Sequence, residues 1–132
     1  MRVVVPVCLI VVAIIHALPL IGVVSAAKVA ALYGITVQDP NLEILLRHRA
    51  VLFGVLAAFL AHAAFHRSLH GLALVAGWLS VAAFLALAVS VGGYNHALSV
   101  VVKADILAAF ALVVGTLVHM RTAGEEHTSG RE

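Results

Sequence analysis

Residues 71–91 read GLALVAGWLSVAAFLALAVSV, a succession of positions without one acidic or basic side chain. A helix rises about 1.5 Å per residue, and about 20 apolar residues cross a hydrocarbon core about 30 Å thick. The stretch is long enough to span a bilayer as a helix and far longer than an ordinary strand. Three other runs share its character, at residues 3–24, 50–66 and 98–120. Four such spans predict an all-α fold, an integral membrane four-helix bundle. Composition agrees: 64% of the 132 residues are hydrophobic and 11% charged, with a mean hydropathy of +1.15. Soluble domains carry roughly 45–50% apolar and 25% charged residues.

The first span could be taken for a secretory signal, because Met1-Arg2 precedes it and VSA at 24–26 resembles a cleavage site. The apolar run is longer than a signal core of about 7–15 residues, so it is read as a retained helix. Between the first two spans, residues 25–49 form a loop or surface segment. Within it VAALYGITV (29–37) is too apolar for a free loop and is expected to lie on the membrane or cap the bundle. Asp39 followed by Pro40 is a helix start, since the carboxylate accepts from exposed amides and proline has none to leave unsatisfied. Glu43 and Arg47 then stand at i and i+4 in the favourable acid-first order. Beyond Met120, RTAGEEHTSGRE has no apolar period and predicts a disordered polar tail over 121–132.

Four spans put both termini and the HRSLHG turn on one side of the membrane, and the long first loop and GGYNHA on the other. Arg2, Arg67, Arg121 and Arg131 fall on the first side, and Lys28, Arg47, Arg49 and Lys103 on the second. With four basic residues on each side, the positive-inside rule does not decide the orientation. The edge position of Lys103 favours cytoplasmic termini. The basic residues are scattered rather than massed on one face, which argues against a nucleic-acid partner. The single cysteine, Cys8, excludes an intrachain disulfide and a thiol metal motif.

The second and fourth spans share a frame. Arg49-Ala50 and Lys103-Ala104 open them, Arg67 and Arg121 close them, and the enclosed residues rise about 26 Å. In that frame Asp105 lies about 3 Å inside the boundary, level with Arg49, and the two are expected to form an inter-helix ion pair. Counted from Leu98, Asp105 would be about 10 Å inside. His16 is the midplane histidine, with Ser80 as candidate partner and Pro19 freeing the Ile15 carbonyl beside it. Gly54, Ala58 and Ala61 on the second helix and Gly71 and Gly77 on the third make small-residue faces for close helix packing.

The chemistry the residues offer falls into three readings. The first is a module binding a lipid, quinone or other small apolar molecule between its helices, with ligand-binding residues His16, Ser80, Arg49, Lys103 and Asp105. The second is a haem or transition-metal redox protein. His62, His66 and His70 are spaced by four and share a helical face, and His119 stands at comparable height, so His62 or His66 with His119 could ligate a metal or haem. The third is a non-enzymatic assembly or homo-oligomer subunit, suggested by the small-residue faces. No phosphate loop, nucleophile elbow or Ser-His-acid spacing supports an enzyme of soluble type. A coupled transporter fits poorly, because the first three spans hold no acidic residue.

The motif DPNLEILLRHRAVLFG (39–54), four short spans and KAD (103–105) opening the last together resemble the small bacterial integral membrane proteins grouped around the DoxX-like four-helix superfamily. The resemblance covers residues 1 to about 120. It implies a four-helix bundle in a bacterial inner membrane, and some members of that broad group are associated with quinone-linked or redox complexes. No catalytic motif carries over to numbered residues.

Overall fold

The computed structural model describes residues 3–129, with side chains from 3 to 122. Five α-helices are joined by short turns: α1 (Val4–Ala17), α2 (Ala26–Tyr33), α3 (Pro40–Ala64), α4 (His70–Val91) and α5 (His96–Ser129). Among the described residues no strand forms. Four stretches are long and apolar enough to cross a membrane: Val4–Val23, Pro40–Ala64, Arg67–Val91 and His96–Thr122. The chain is a multi-pass membrane protein built as an all-α bundle, as the sequence predicts.

α1 packs against both α3 and α5, and α4 closes the bundle against α5 and α3. Among the described residues α3 and α5 make no close backbone approach, so they stand on a diagonal with α1 between them. The core along this seam holds Leu9, Val12, Leu60, Ala63, Ala73, Val81, Ala108 and Leu112. Bilayer tails are as apolar as these side chains, so tight packing rather than hydrophobic exclusion holds the helices together. A Cβ on Gly77 would come within 2.9 Å of Leu112, and one on Gly54 would strike Leu20. Those two glycines let α4 meet α5 and α3 meet the segment after α1. Trp78 satisfies its indole by donating to Thr116 Oγ1 at 3.1 Å across the α4–α5 contact.

Pro19 ends α1, and residues Leu18–Val23 continue as a 3-10 turn. The Ile15 carbonyl is not freed beside His16 as the sequence suggested, because the Leu18 amide tightens onto it. α2 begins with Ser25 accepting from the Lys28 amide and ends at Gly34, whose φ of 62° suits a residue without a Cβ. The apolar segment after the first span is therefore a short helix with Val29 and Tyr33 buried. Asp39 caps α3 by accepting from the Asn41 amide at 2.8 Å, with Pro40 in the first turn. Glu43 and Arg47 pair at 2.9 Å, and Arg47 Nε also donates to the Val23 carbonyl at 3.0 Å.

α5 continues to Ser129, since an established helix gains a hydrogen bond with each residue added and Ala and Glu propagate well. Residues 130–132 of the expected tail lie outside the described residues.

Candidate functional site

A cavity of ≈ 270 Å³ lies between the C-terminal half of α1, α3 and the N-terminal third of α5, under the end of α2. His16, Arg49 and Asp105 line it together with Tyr33, Phe53 and Ala104. Three polar residues singled out in the sequence are thus brought to one chamber. α5 starts at His96, so Asp105 stands about 14 Å along that helix and shares the chamber of His16.

His16 is 3% exposed. Its Nδ1 lies 2.9 Å from the Val12 carbonyl, and its Nε2 lies 3.0 Å from Ser80 Oγ on α4. A carbonyl can only accept, so Nδ1 carries the hydrogen, and in that tautomer the Ser80 hydroxyl donates to Nε2. The His16–Ser80 contact anticipated from the sequence is present. Both ring nitrogens are consumed by the protein, and the imidazole meets Phe53 with ring centroids 5.6 Å apart. Ser80 itself is not part of the cavity wall; it holds His16 in place.

Arg49 and Phe53 are one helical turn apart on α3 and therefore share a face. The guanidinium carbon lies 4.7 Å from the Phe53 ring centroid, 5.4 Å from that of Tyr33 and 5.8 Å from that of Phe84. Cation–π attraction is worth about 0.5–2 kcal/mol per site, more when desolvated. Arg49 Nη1 also donates to the Tyr33 hydroxyl at 3.1 Å. Burial pushes the Tyr33 phenol above its ordinary value, with the charge of Arg49 pulling the other way.

The expected Arg49–Asp105 ion pair does not form: among the described residues the one ion pair is Glu43–Arg47. α3 and α5 are diagonal, so a side chain from each reaches the chamber without bridging it. Lys103 is exposed and does not line the cavity. Two residues along a helix turn about 200°, so Lys103 and Asp105 must face nearly opposite directions.

Sequence reasoning missed Tyr33, Phe53 and Asn95. Asn95 Nδ2 donates to the carbonyls of Tyr33 and Gly34 at 2.9 and 3.0 Å, while its Oδ1 accepts from the Leu98 amide at 2.8 Å. One side chain thereby caps α5 and ties it to the end of α2, which roofs the cavity. The cap was legible, because an Asn immediately before an apolar helix is an N-terminal signal. Its tie to α2 had no local signal.

At the opposite end the histidines fall into two ring pairs. His62 and His66 stack with centroids 4.1 Å apart, and His66 Nδ1 donates to the His62 carbonyl at 2.8 Å. His119 meets His70 edge-on at 6.3 Å, in the room left by Gly71. His70 is buried, and its Nε2 has no hydrogen-bond partner among the described residues. Among the described residues no group of three or more His, Cys, Asp or Glu is placed to hold a metal ion. Comparison with protein-family models, with curated proteins and with solved structures returns no match to this chain.

Proposed function

We propose that this membrane protein binds a small, largely apolar molecule, a lipid or quinone, in the chamber between α1, α3 and α5. The observation that carries the reading is the chamber itself: ≈ 270 Å³ with mostly aliphatic and aromatic walls and a few converging polar groups. That combination is what small-molecule sites have in common, and the volume falls just below their usual range of about 300–1,000 Å³. Leu18 and Val100 belong to the lining and are 59% and 53% exposed. Apolar residues exposed on membrane-spanning helices face lipid, so the chamber opens sideways toward the acyl chains. Arg49 and Asp105 act as polar contacts, His16 serves as a wall fixed by Ser80, and α2 covers the chamber.

The test is extraction of the purified protein followed by mass spectrometry of small molecules, in parallel with Ala104→Phe, which fills the chamber. A specific molecule near one per chain in the unsubstituted protein, lost from Ala104→Phe with helical content unchanged, is expected. Equal recovery from both proteins would sink the reading. Kinship with the DoxX-like group belongs to the same proposal and rests on the sequence motifs alone.

A further inference from the structure

The unused hydrogen-bonding capacity of the chamber lies on Arg49 and Asp105, with the Tyr33 hydroxyl, which accepts from Arg49 and keeps its own hydrogen, adding one donor on the Arg49 side. His16 has none left, since both ring nitrogens are engaged. Of the five N–H donors on a guanidinium, Arg49 spends one on Tyr33. A guanidinium has no acceptor to offer. Asp105 lines the same chamber from the diagonal helix and forms no ion pair among the described residues. As a carboxylate it only accepts. The chamber thus presents donors on one wall and acceptors on the other, with one formal charge of each sign.

We infer that the ligand carries an uncharged, hydroxyl-bearing head that accepts from Arg49 and donates to Asp105 across the gap between α3 and α5. This rests on the ligand-binding reading above and narrows it. A hydroxyl does both jobs at once. A carboxylate head satisfies Arg49 but sets like charge against Asp105, and an ammonium head meets the reverse conflict at Arg49. Neither repulsion is relieved by water in a chamber walled by Phe53, Ala104 and Val101. The chamber volume holds a head and the first part of a chain, and the remainder leaves past Leu18 and Val100 into lipid. Glycerol esters and alkylated hydroquinones both supply such a head.

The experiment measures binding of four probes with matched ten-carbon chains to the full chain in nanodiscs at neutral pH: monodecanoylglycerol, decyl hydroquinone, decanoic acid and decylamine. Binding of one hydroxyl-bearing probe at least roughly tenfold tighter than the acid and the amine is expected, the scale of selectivity set by a buried polar mismatch. Which of the two hydroxyl probes leads assigns the source as glyceride or hydroquinone. Asp105→Asn should then raise affinity for decanoic acid roughly tenfold with little effect on the hydroxyl probes. Arg49→Gln should favour decylamine in the same sense. If the acid or the amine binds the unsubstituted protein as tightly as the hydroxyl probes, the inference is overturned and the ligand chamber stands. Should no probe bind, and none protect the protein from unfolding, the inference and the chamber reading fall together.

Discussion

Replacing Asn95 with alanine removes three hydrogen bonds made by one side chain. Loss of an Asn cap costs about 1 kcal/mol, here the contact from the Leu98 amide. The two bonds to the Tyr33 and Gly34 carbonyls add about 0.5–1 kcal/mol each, at the low end because those carbonyls lie near the surface and can turn to water. The sum is about 2–3 kcal/mol, read by denaturant titration in mixed micelles. Asn95→Asp separates the two functions. It keeps an acceptor for Leu98, and a negative charge is favourable at a helix start, but it cannot donate to the carbonyls. Its expected loss is about 1–2 kcal/mol, all of it from the tie to α2. Amide exchange gives the sharper readout. Exchange over residues 26–33 should accelerate in both variants, and over residues 98–99 only in Asn95→Ala. The reasoning is refuted if Asn95→Asp leaves exchange in α2 at its original rate.

Ser80→Ala strips His16 Nε2 of its partner. A buried unsatisfied group costs about 1–3 kcal/mol in water-soluble proteins, and inter-helix bonds in membranes average about 0.6 kcal/mol, so a loss near 1 kcal/mol is expected. A double-mutant cycle with His16→Leu that shows no coupling would count against the bond. Gly77→Ala puts a Cβ 2.9 Å from Leu112; overpacking of about 1–3 kcal/mol should outweigh the helix-propensity gain of about 1 kcal/mol, lowering the unfolding midpoint. Tyr33 supplies a pH dependence. Its folded pKa is raised above the ordinary 10.0 by burial, so the unfolded chain ionises first as pH rises. Stability should be flat in this residue below pH 10 and fall as pH climbs from there through the folded value. Tyr33→Phe should flatten that alkaline limb, and an unchanged limb would show that the phenol is not buried against α3.

The spans were legible because a membrane makes the simplest demand on a sequence: an uninterrupted apolar run such as 71–91 has no alternative that satisfies its backbone. Local chemistry was legible too. Asp39-Pro40 and the Glu43–Arg47 pair depend on neighbours within one turn, and both formed as read. Inter-helix pairing was legible only where polar side chains were scarce at one height, as with His16 and Ser80. The Arg49–Asp105 pair was inferred from matching heights, and height is only one of three coordinates. Which helices are diagonal depends on the packing of small residues throughout the bundle, which no short motif encodes. Lys103 entered the reading through the frame it shares with Arg49, and a frame gives height but not direction: the two-residue step to Asp105 turns the helix about 200°, which leaves Lys103 outside the chamber lining.

Membrane interiors ordinarily pair or neutralise their charges, and that gives significance to Arg49 and Asp105, which form no ion pair among the described residues. Two groups meant only as a structural clamp gain most from direct contact. Instead, Arg49 is turned onto the Tyr33 hydroxyl and three aromatic rings, while Asp105 faces the same chamber from the diagonal. Aromatic faces and a phenol stabilise a guanidinium without neutralising it. On the proposed reading, the separation keeps two strong hydrogen-bonding groups available to a bound head, which would offset the cost of leaving them apart. If that is their role, adding the preferred hydroxyl probe should stabilise the protein by about 2.7 kcal/mol at a hundredfold excess over its dissociation constant. The doubly substituted Arg49→Met, Asp105→Leu protein should show no such gain while being as stable as the unliganded original or more so, because replacing buried charges with apolar groups of similar size is often neutral or favourable. A double variant that unfolds more easily than the unliganded protein would instead mark the two charges as structural.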